Sequence, residues 1–119
     1  MSPKLAVVSL WAEDVTAAAH FYRDVIGLNL LMHDRHRPHF DLGGAYLVIL
    51  KGRPQPPLDP IPARFPIVAF AVDDLDAAVE QLQLHQVELP WGIEEDADSR
   101  WVMFYDPGGN LIELARFNR

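Results

Sequence analysis

Arg100-Trp101-Val102-Met103-Phe104-Tyr105 is followed by Asp106-Pro107-Gly108-Gly109-Asn110 and then by Leu111-Ile112-Glu113-Leu114-Ala115. Two β-prone runs flank a five-residue segment whose aspartate, proline, glycines and asparagine favour tight reversal, so the stretch is predicted to be a β-hairpin. Glu113 interrupts the apolar run of the second strand. Strand alternation puts it on the face of Leu111 and Ala115, opposite Ile112 and Leu114. With Ile112 and Leu114 turned to a core, Glu113 looks out from the other face of the sheet. Function is expected on that face.

The hairpin closes the second of two similar halves. Leu5 to Ala12 is β-prone, Asp14 reads as the N-cap of a helix running through Ile26, and Gly27 reads as its stop. Val15, Ala18, Ala19, Tyr22 and Ile26 recur at helical spacing and give that helix one face for packing on a sheet. Strands are predicted from Leu28 to Met32, Phe40 to Leu42 and Ala45 to Leu50, with a charged hairpin loop over Asp34 to Pro38 and a turn at Gly43-Gly44. Lys51 to Pro62 holds five prolines, which neither continue a helix nor pair in a central strand, so it reads as a linker. Beyond it the opening returns at an offset of 60: Val8 matches Val68, Asp14 matches Asp74, and Ala17-Ala18 match Ala77-Ala78. A second helix is expected from about Leu75 to His85, a strand from Val87 to Leu89 ended by Pro90, and an acidic loop from Glu94 to Asp98. The order β-α-β-β-β is therefore written twice. Each half is too small to bury its sheet face alone, so one domain over 1–119 is predicted, with modules 1–50 and 64–119, a linker 51–63, and a shared core or cavity.

A chain of 119 residues suits one such domain, burying roughly two thirds of its unfolded surface. Half the residues are hydrophobic and 23% charged, an ordinary globular composition that argues against disorder. Without cysteine there are no disulfides, thiolate metal sites or thiol nucleophiles, and any chemistry falls to histidine, carboxylate and hydroxyl groups. The formal charge of −7 argues against nucleic acid or an anionic membrane as partner and suits a neutral or cationic one. No apolar run approaches ~18 residues and no signal pattern opens the chain, so a soluble, cytoplasmic protein is expected.

Glu13-Asp14 before the first helix, Phe21-Tyr22-Arg23-Asp24 with Gly27-Leu28 after it, and the terminal Phe104-Tyr105-Asp106-Pro107-Gly108-Gly109-Asn110-Leu111-Ile112-Glu113-Leu114 together resemble the vicinal oxygen chelate superfamily. That superfamily contains glyoxalase I, extradiol dioxygenases, and fosfomycin- and bleomycin-resistance proteins. The resemblance covers nearly the whole chain. It implies an α+β fold in which two βαβββ modules form a cupped eight-stranded mixed sheet, or half-barrel, with helices outside, and it implies a homodimer. Metal-dependent members take ligands from the first and last strands of each module; carried over by position, these are Val7, Val48, Ile67 and Glu113. One carboxylate among aliphatic side chains does not make a divalent-cation site, so no cofactor is expected.

Alternation gives the remaining wall: Ser9 and Trp11 beside Val7, Tyr46 beside Val48, Trp101 and Met103 beside Glu113. Apolar walls with a few orienting polar groups are how small-molecule sites are commonly built. Tyr46, Trp101 and Met103 either line a cavity or fill it. Glu113 either contacts a ligand or does general acid–base work, or it is a structural residue bonded to Ser9 or Tyr46 or exposed at an edge. His33, His36 and His39 are read as solvated loop histidines, and the acidic run as a solvated loop or a rim that attracts cations. The expected function is metal-free binding of a small apolar or cationic aromatic molecule, in the manner of drug or toxin sequestration. The alternative is a lyase, isomerase or dioxygenase that depends on a divalent metal or on Glu113 alone.

Overall fold

The computed structural model describes residues 5–34, 37–54 and 67–118. In chain order these form β1 (Val7–Ala12), α1 (Val15–His20), which runs directly into a π-helical stretch (Phe21–Ile26), then β2 (Asn29–Asp34), β3 (Arg37–Asp41) and β4 (Tyr46–Lys51). The second series is β5 (Val68–Ala71), α2 (Leu75–Leu84), β6 (Ile93–Glu95), β7 (Ser99–Tyr105) and β8 (Leu111–Phe117). The fold is α+β. Its strands are hydrogen-bonded as two four-stranded mixed sheets, β1-β4-β3-β2 and β5-β8-β7-β6. In each, the first strand of the module runs parallel to the last and the other pairs are antiparallel. The chain divides into two compact units, Met1–Gln55 with Pro107–Asn110, and Pro56–Asp106 with Leu111–Arg119.

In the first unit the Asp14 side chain accepts from the Ala17 N–H at 3.0 Å, satisfying one of the free donors at the start of the helix. The helix buries Ala18, Ala19 and Tyr22, while the sheet buries Leu10, Ala12, Phe40, Leu47 and Ile49. Each large side chain in that set stabilises the unit by roughly 1.5–3 kcal/mol on burial. The expected helix is regular only to His20. A π-helical turn takes over where the adjacent rings of Phe21 and Tyr22 are both buried, packed edge to face at 5.4 Å, and Gly27 closes it with a φ of +87°.

The second unit repeats this arrangement. Asp74 accepts from the Ala77 N–H at 3.0 Å, and Leu75, Val79 and Leu82 of α2 are buried with Val102, Phe104, Ile112 and Leu114 of the hairpin. Tyr105 pairs with Leu111 across the five-residue turn, so the hairpin stands in the expected register.

Four local expectations change. Pro38 and His39 lie in β3, not in a loop; β3 bonds to β4 only from His39 onward, so the missing N–H of Pro38 leaves no gap in that ladder. Val87–Leu89 is not a strand. The sixth strand lies instead in the acidic stretch, where Glu94 and Glu95 pair with Trp101 and Arg100. There, cross-strand partners override the low strand propensity of glutamate. β4 extends through Lys51; the proline-rich linker from 55 to 63 and His36 fall outside the described residues.

Candidate functional site

In the second sheet the alternation rule holds. Val102, Phe104, Ile112 and Leu114 are buried on the helix side, while Trp101, Met103, Leu111 and Glu113 are half-buried on the other face. Glu113 stands opposite Met103 on β7 and Ala69 on β5. Ala69 and Ala71 are exposed, so on the β5 side the neighbours of Glu113 on this face are methyl groups with no polar atom to pair with it. Glu94, on β6, comes to the same face opposite Trp101. Its carboxylate accepts from the Trp101 indole Nε1–H at 2.7 Å, which fixes the ring. No hydrogen bond or ion pair joins Glu113 to another described residue.

Burial raises the Glu113 pKa above the ordinary carboxylate value, and the negative charge of Glu94 raises it further. No cation on the neighbouring strands relieves this. Arg100 and Arg116 face each other from alternate positions on the helix side of β7 and β8, and Arg100 leans to Asp76 (3.6 Å) and Glu95 (3.7 Å). A strained carboxylate beside a fixed carboxylate, a tryptophan and a thioether is an arrangement that an incoming cation relieves. Glu94 is the site residue that sequence reasoning missed. Sequence reasoning places Glu94 only within the acidic run, as loop or cation-attracting rim, and the signal for it is an acid two residues after Gly92.

The open face of the first sheet gathers the other predicted residues. Val7 pairs with Tyr46, Ser9 with Val48 and Trp11 with Leu50; Val7, Ser9, Trp11 and Tyr46 are exposed, and Val48 is buried. His39, expected in a loop, sits on this face beside Val48, with its Nδ1 2.8 Å from the Arg37 carbonyl. The turn Pro107–Asn110, which belongs to this unit, grips the far end of β1. Asn110 Nδ2 donates to the Trp11 carbonyl at 2.7 Å, and its Oδ1 accepts from the Trp11 N–H at 3.4 Å. A groove of about 950 Å³ lies alongside, bordered by Trp11, Glu13, Arg37, Leu50 and Lys51. Its charges are of both signs, and Glu13 is paired with Arg53 at 2.8 Å, so the groove holds no desolvated group to mark it as reactive.

The four positions that the resemblance assigns to metal ligands are Val7, Val48, Ile67 and Glu113. Val7 and Ile67 are each 49% exposed and Val48 is 7% exposed; none has a donor atom. Among the described residues no three histidine, aspartate or glutamate side chains converge as a metal site would require. The donor set does not fit a resident divalent ion.

The model of the Glyoxalase/Bleomycin resistance protein/Dioxygenase superfamily matches residues 4–114. The chain belongs to this superfamily. It is 31% identical over 117 residues to the uncharacterized protein YaeR of Escherichia coli (strain K12), covering 90% of this chain and 91% of that one. It is 27% identical over 104 residues to the metallothiol transferase FosB of Staphylococcus haemolyticus, covering 85% and 74% respectively. The crystal structure of TnmS3, an antibiotic binding protein from Streptomyces sp. CB03234, has the same fold, with a TM-score of 0.75 and 24% identity over 98% of this chain and 97% of that one. No helix of the described residues is long and apolar enough to cross a membrane.

Proposed function

We propose that this superfamily member is a metal-free small-molecule-binding protein that holds a cationic aromatic ligand on the open face of its second sheet and serves to sequester a drug or toxin. The observation that carries this reading is Glu113: a half-buried carboxylate with a raised pKa, beside a second carboxylate, walled by Trp101 and Met103 and floored by alanine. Desolvation makes the lone carboxylate costly, and an organic cation offsets that cost where a proton otherwise would. The aromatic and thioether walls suit the ligand's planar part. The aliphatic side chains at three of the four ligand positions that the resemblance assigns support metal-free binding, and TnmS3, named as an antibiotic binding protein, gives the same fold a binding precedent. The open face of the first sheet, with Val7, Ser9, Trp11, Tyr46 and Val48, is a second apolar surface of similar character. The homodimer and the cytoplasmic location expected from the sequence belong to the same proposal.

The test is calorimetric titration of the chelator-treated protein with a panel of aromatic amines, quaternary aromatic cations and neutral aromatics of matched size. Cations should bind and neutral analogues should bind at least about tenfold more weakly, with the difference removed in Glu113→Gln. Equal binding of charged and neutral members would remove Glu113 from the site. The same raised pKa favours one second reading, Glu113 as a general acid–base in an enzyme that works without metal. Turnover of a thiol or dioxygenase substrate in chelator, lost in Glu113→Gln, would establish it.

A further inference from the structure

The face that carries Glu113 does not end at Met103. By strand parity Tyr105 continues the row Trp101, Met103, Tyr105 along β7, and it is 54% exposed. Trp91, in the Pro90–Gly92 turn just before β6, is 48% exposed, and its ring centroid lies 6.3 Å from that of Tyr105 at an interplanar angle of 52°. Large aromatic side chains left half in water on a monomer ordinarily mark a surface that something covers. Here the pair lies four residues along β7 from Trp101, about 13 Å at the rise of a strand. Glu113 stands opposite Met103, midway between the two aromatic positions. The only charges that parity brings to this face among the described residues of β5 to β8 are the carboxylates Glu94 and Glu113, so the occupant is a cation and not an anion.

We infer that Trp91 and Tyr105 form a second stacking subsite, so that the face takes an elongated monocation with two aromatic arms, one on Trp101 and one on the Trp91–Tyr105 pair, and its positive nitrogen between them at Glu113. This rests on the reading of Glu113 as a cation-binding group and adds the ligand's length and the position of its charge. An arm on each aromatic position makes the second contact intramolecular, so a two-armed ligand gains over its one-armed half without any change at Glu113.

The probes are bis(phenylpropyl)amine, whose ammonium lies midway between two rings, and phenylpropylamine, which has the same ammonium and one ring. The full chain is titrated with each by calorimetry, as wild type, Trp91→Ala, Tyr105→Leu and Glu113→Gln, with circular dichroism to confirm folding. The two-armed amine should bind about tenfold or more tightly than the one-armed amine. Trp91→Ala and Tyr105→Leu should each remove most of that gain and leave the one-armed amine unchanged, and Glu113→Gln should weaken both amines. If the one-armed amine binds and depends on Glu113 but the two amines bind alike, the second subsite is refuted and the cation site stands. If neither amine binds the folded wild type, both readings fall. If Trp91→Ala instead changes the sedimentation of the protein without changing the ratio of affinities, the pair is a contact between copies of the chain and the subsite is overturned.

Discussion

Replacing Asn110 tests how the turn Pro107–Asn110 holds the first unit. β1 is an edge strand, bonded on one side to β4, so the Trp11 N–H and C=O need partners on the other side. The Asn110 carboxamide supplies both, donating at 2.7 Å and accepting at 3.4 Å, and so behaves as one residue of a neighbouring strand. A neutral bond of good length contributes about 1 kcal/mol, and the longer one a few tenths. Asn110→Ala should therefore destabilise by about 1.2 kcal/mol, which for a chain of this size lowers Tm by ~5 °C. Asn110→Asp is the sharper variant. It keeps the weak acceptor, removes the strong donor and turns a carboxylate oxygen toward the Trp11 carbonyl, so its loss should exceed that of alanine, at about 2 kcal/mol. Urea unfolding monitored by far-ultraviolet circular dichroism gives both values. An alanine variant as stable as wild type would show that the 2.7 Å bond carries none of the stability assigned to it, and an aspartate variant no worse than alanine would show that the carboxylate does not meet the Trp11 carbonyl.

Three further outcomes follow from neighbouring features. A Cβ added at Gly108 would land on the Trp11 carbonyl oxygen and 3.0 Å from the Ala12 Cα; because both are backbone, Gly108→Ala should cost about 2–3 kcal/mol or more, measured as a fall in the urea midpoint. Glu113 has a folded-state pKa above its unfolded one, so its contribution is most favourable below about pH 4 and is lost as pH rises through the raised value. Glu113→Gln should accordingly be more stable than wild type at pH 7, with the advantage gone below pH ~4; urea midpoints at the two pH values check the sign. Asp96 accepts from the Asp98 and Ser99 N–H groups and the Ser99 hydroxyl, and these bonds hold its pKa below the ordinary value. It therefore stabilises above its unfolded pKa and ceases to as pH falls, and Asp96→Ala should flatten the acid limb of the stability–pH curve.

Much of the fold was legible because local chemistry and global arrangement agree. Asp14 and Asp74, 60 residues apart, make the same bond to Ala17 and Ala77 at the same 3.0 Å, so the repeat seen in sequence is a repeat of capping geometry. The hairpin at 106–110 and the facing of Ile112, Leu114 and Glu113 followed from alternation, which any strand obeys once one face is buried. What was not legible depended on partners remote in sequence. β6 is three residues long at a sheet edge, too short to show a period, and it exists because Trp101 and Arg100 supply partners for Glu94 and Glu95. For the same reason Glu94 was read as loop, although its charge helps set the pKa of Glu113. Pro38 makes a loop the natural reading for His39, yet that proline precedes the residues of β3 that pair with β4, so its missing N–H leaves no gap on that side. The π-helical turn at Phe21–Ile26 leaves no mark on a 3.6-residue pattern until the buried pair Phe21 and Tyr22 is seen.

The proposed function rests on Val7, Val48 and Ile67 offering no donor where the resemblance assigns metal ligands, which leaves Glu113 to meet an organic cation directly. The most direct measurement is the metal content of untagged protein, wild type and Glu113→Gln, dialysed in parallel against zinc, manganese and nickel and analysed by inductively coupled plasma spectrometry. Far less than one ion per chain is expected in both proteins. About one ion per wild-type chain, lost in Glu113→Gln, would contradict it.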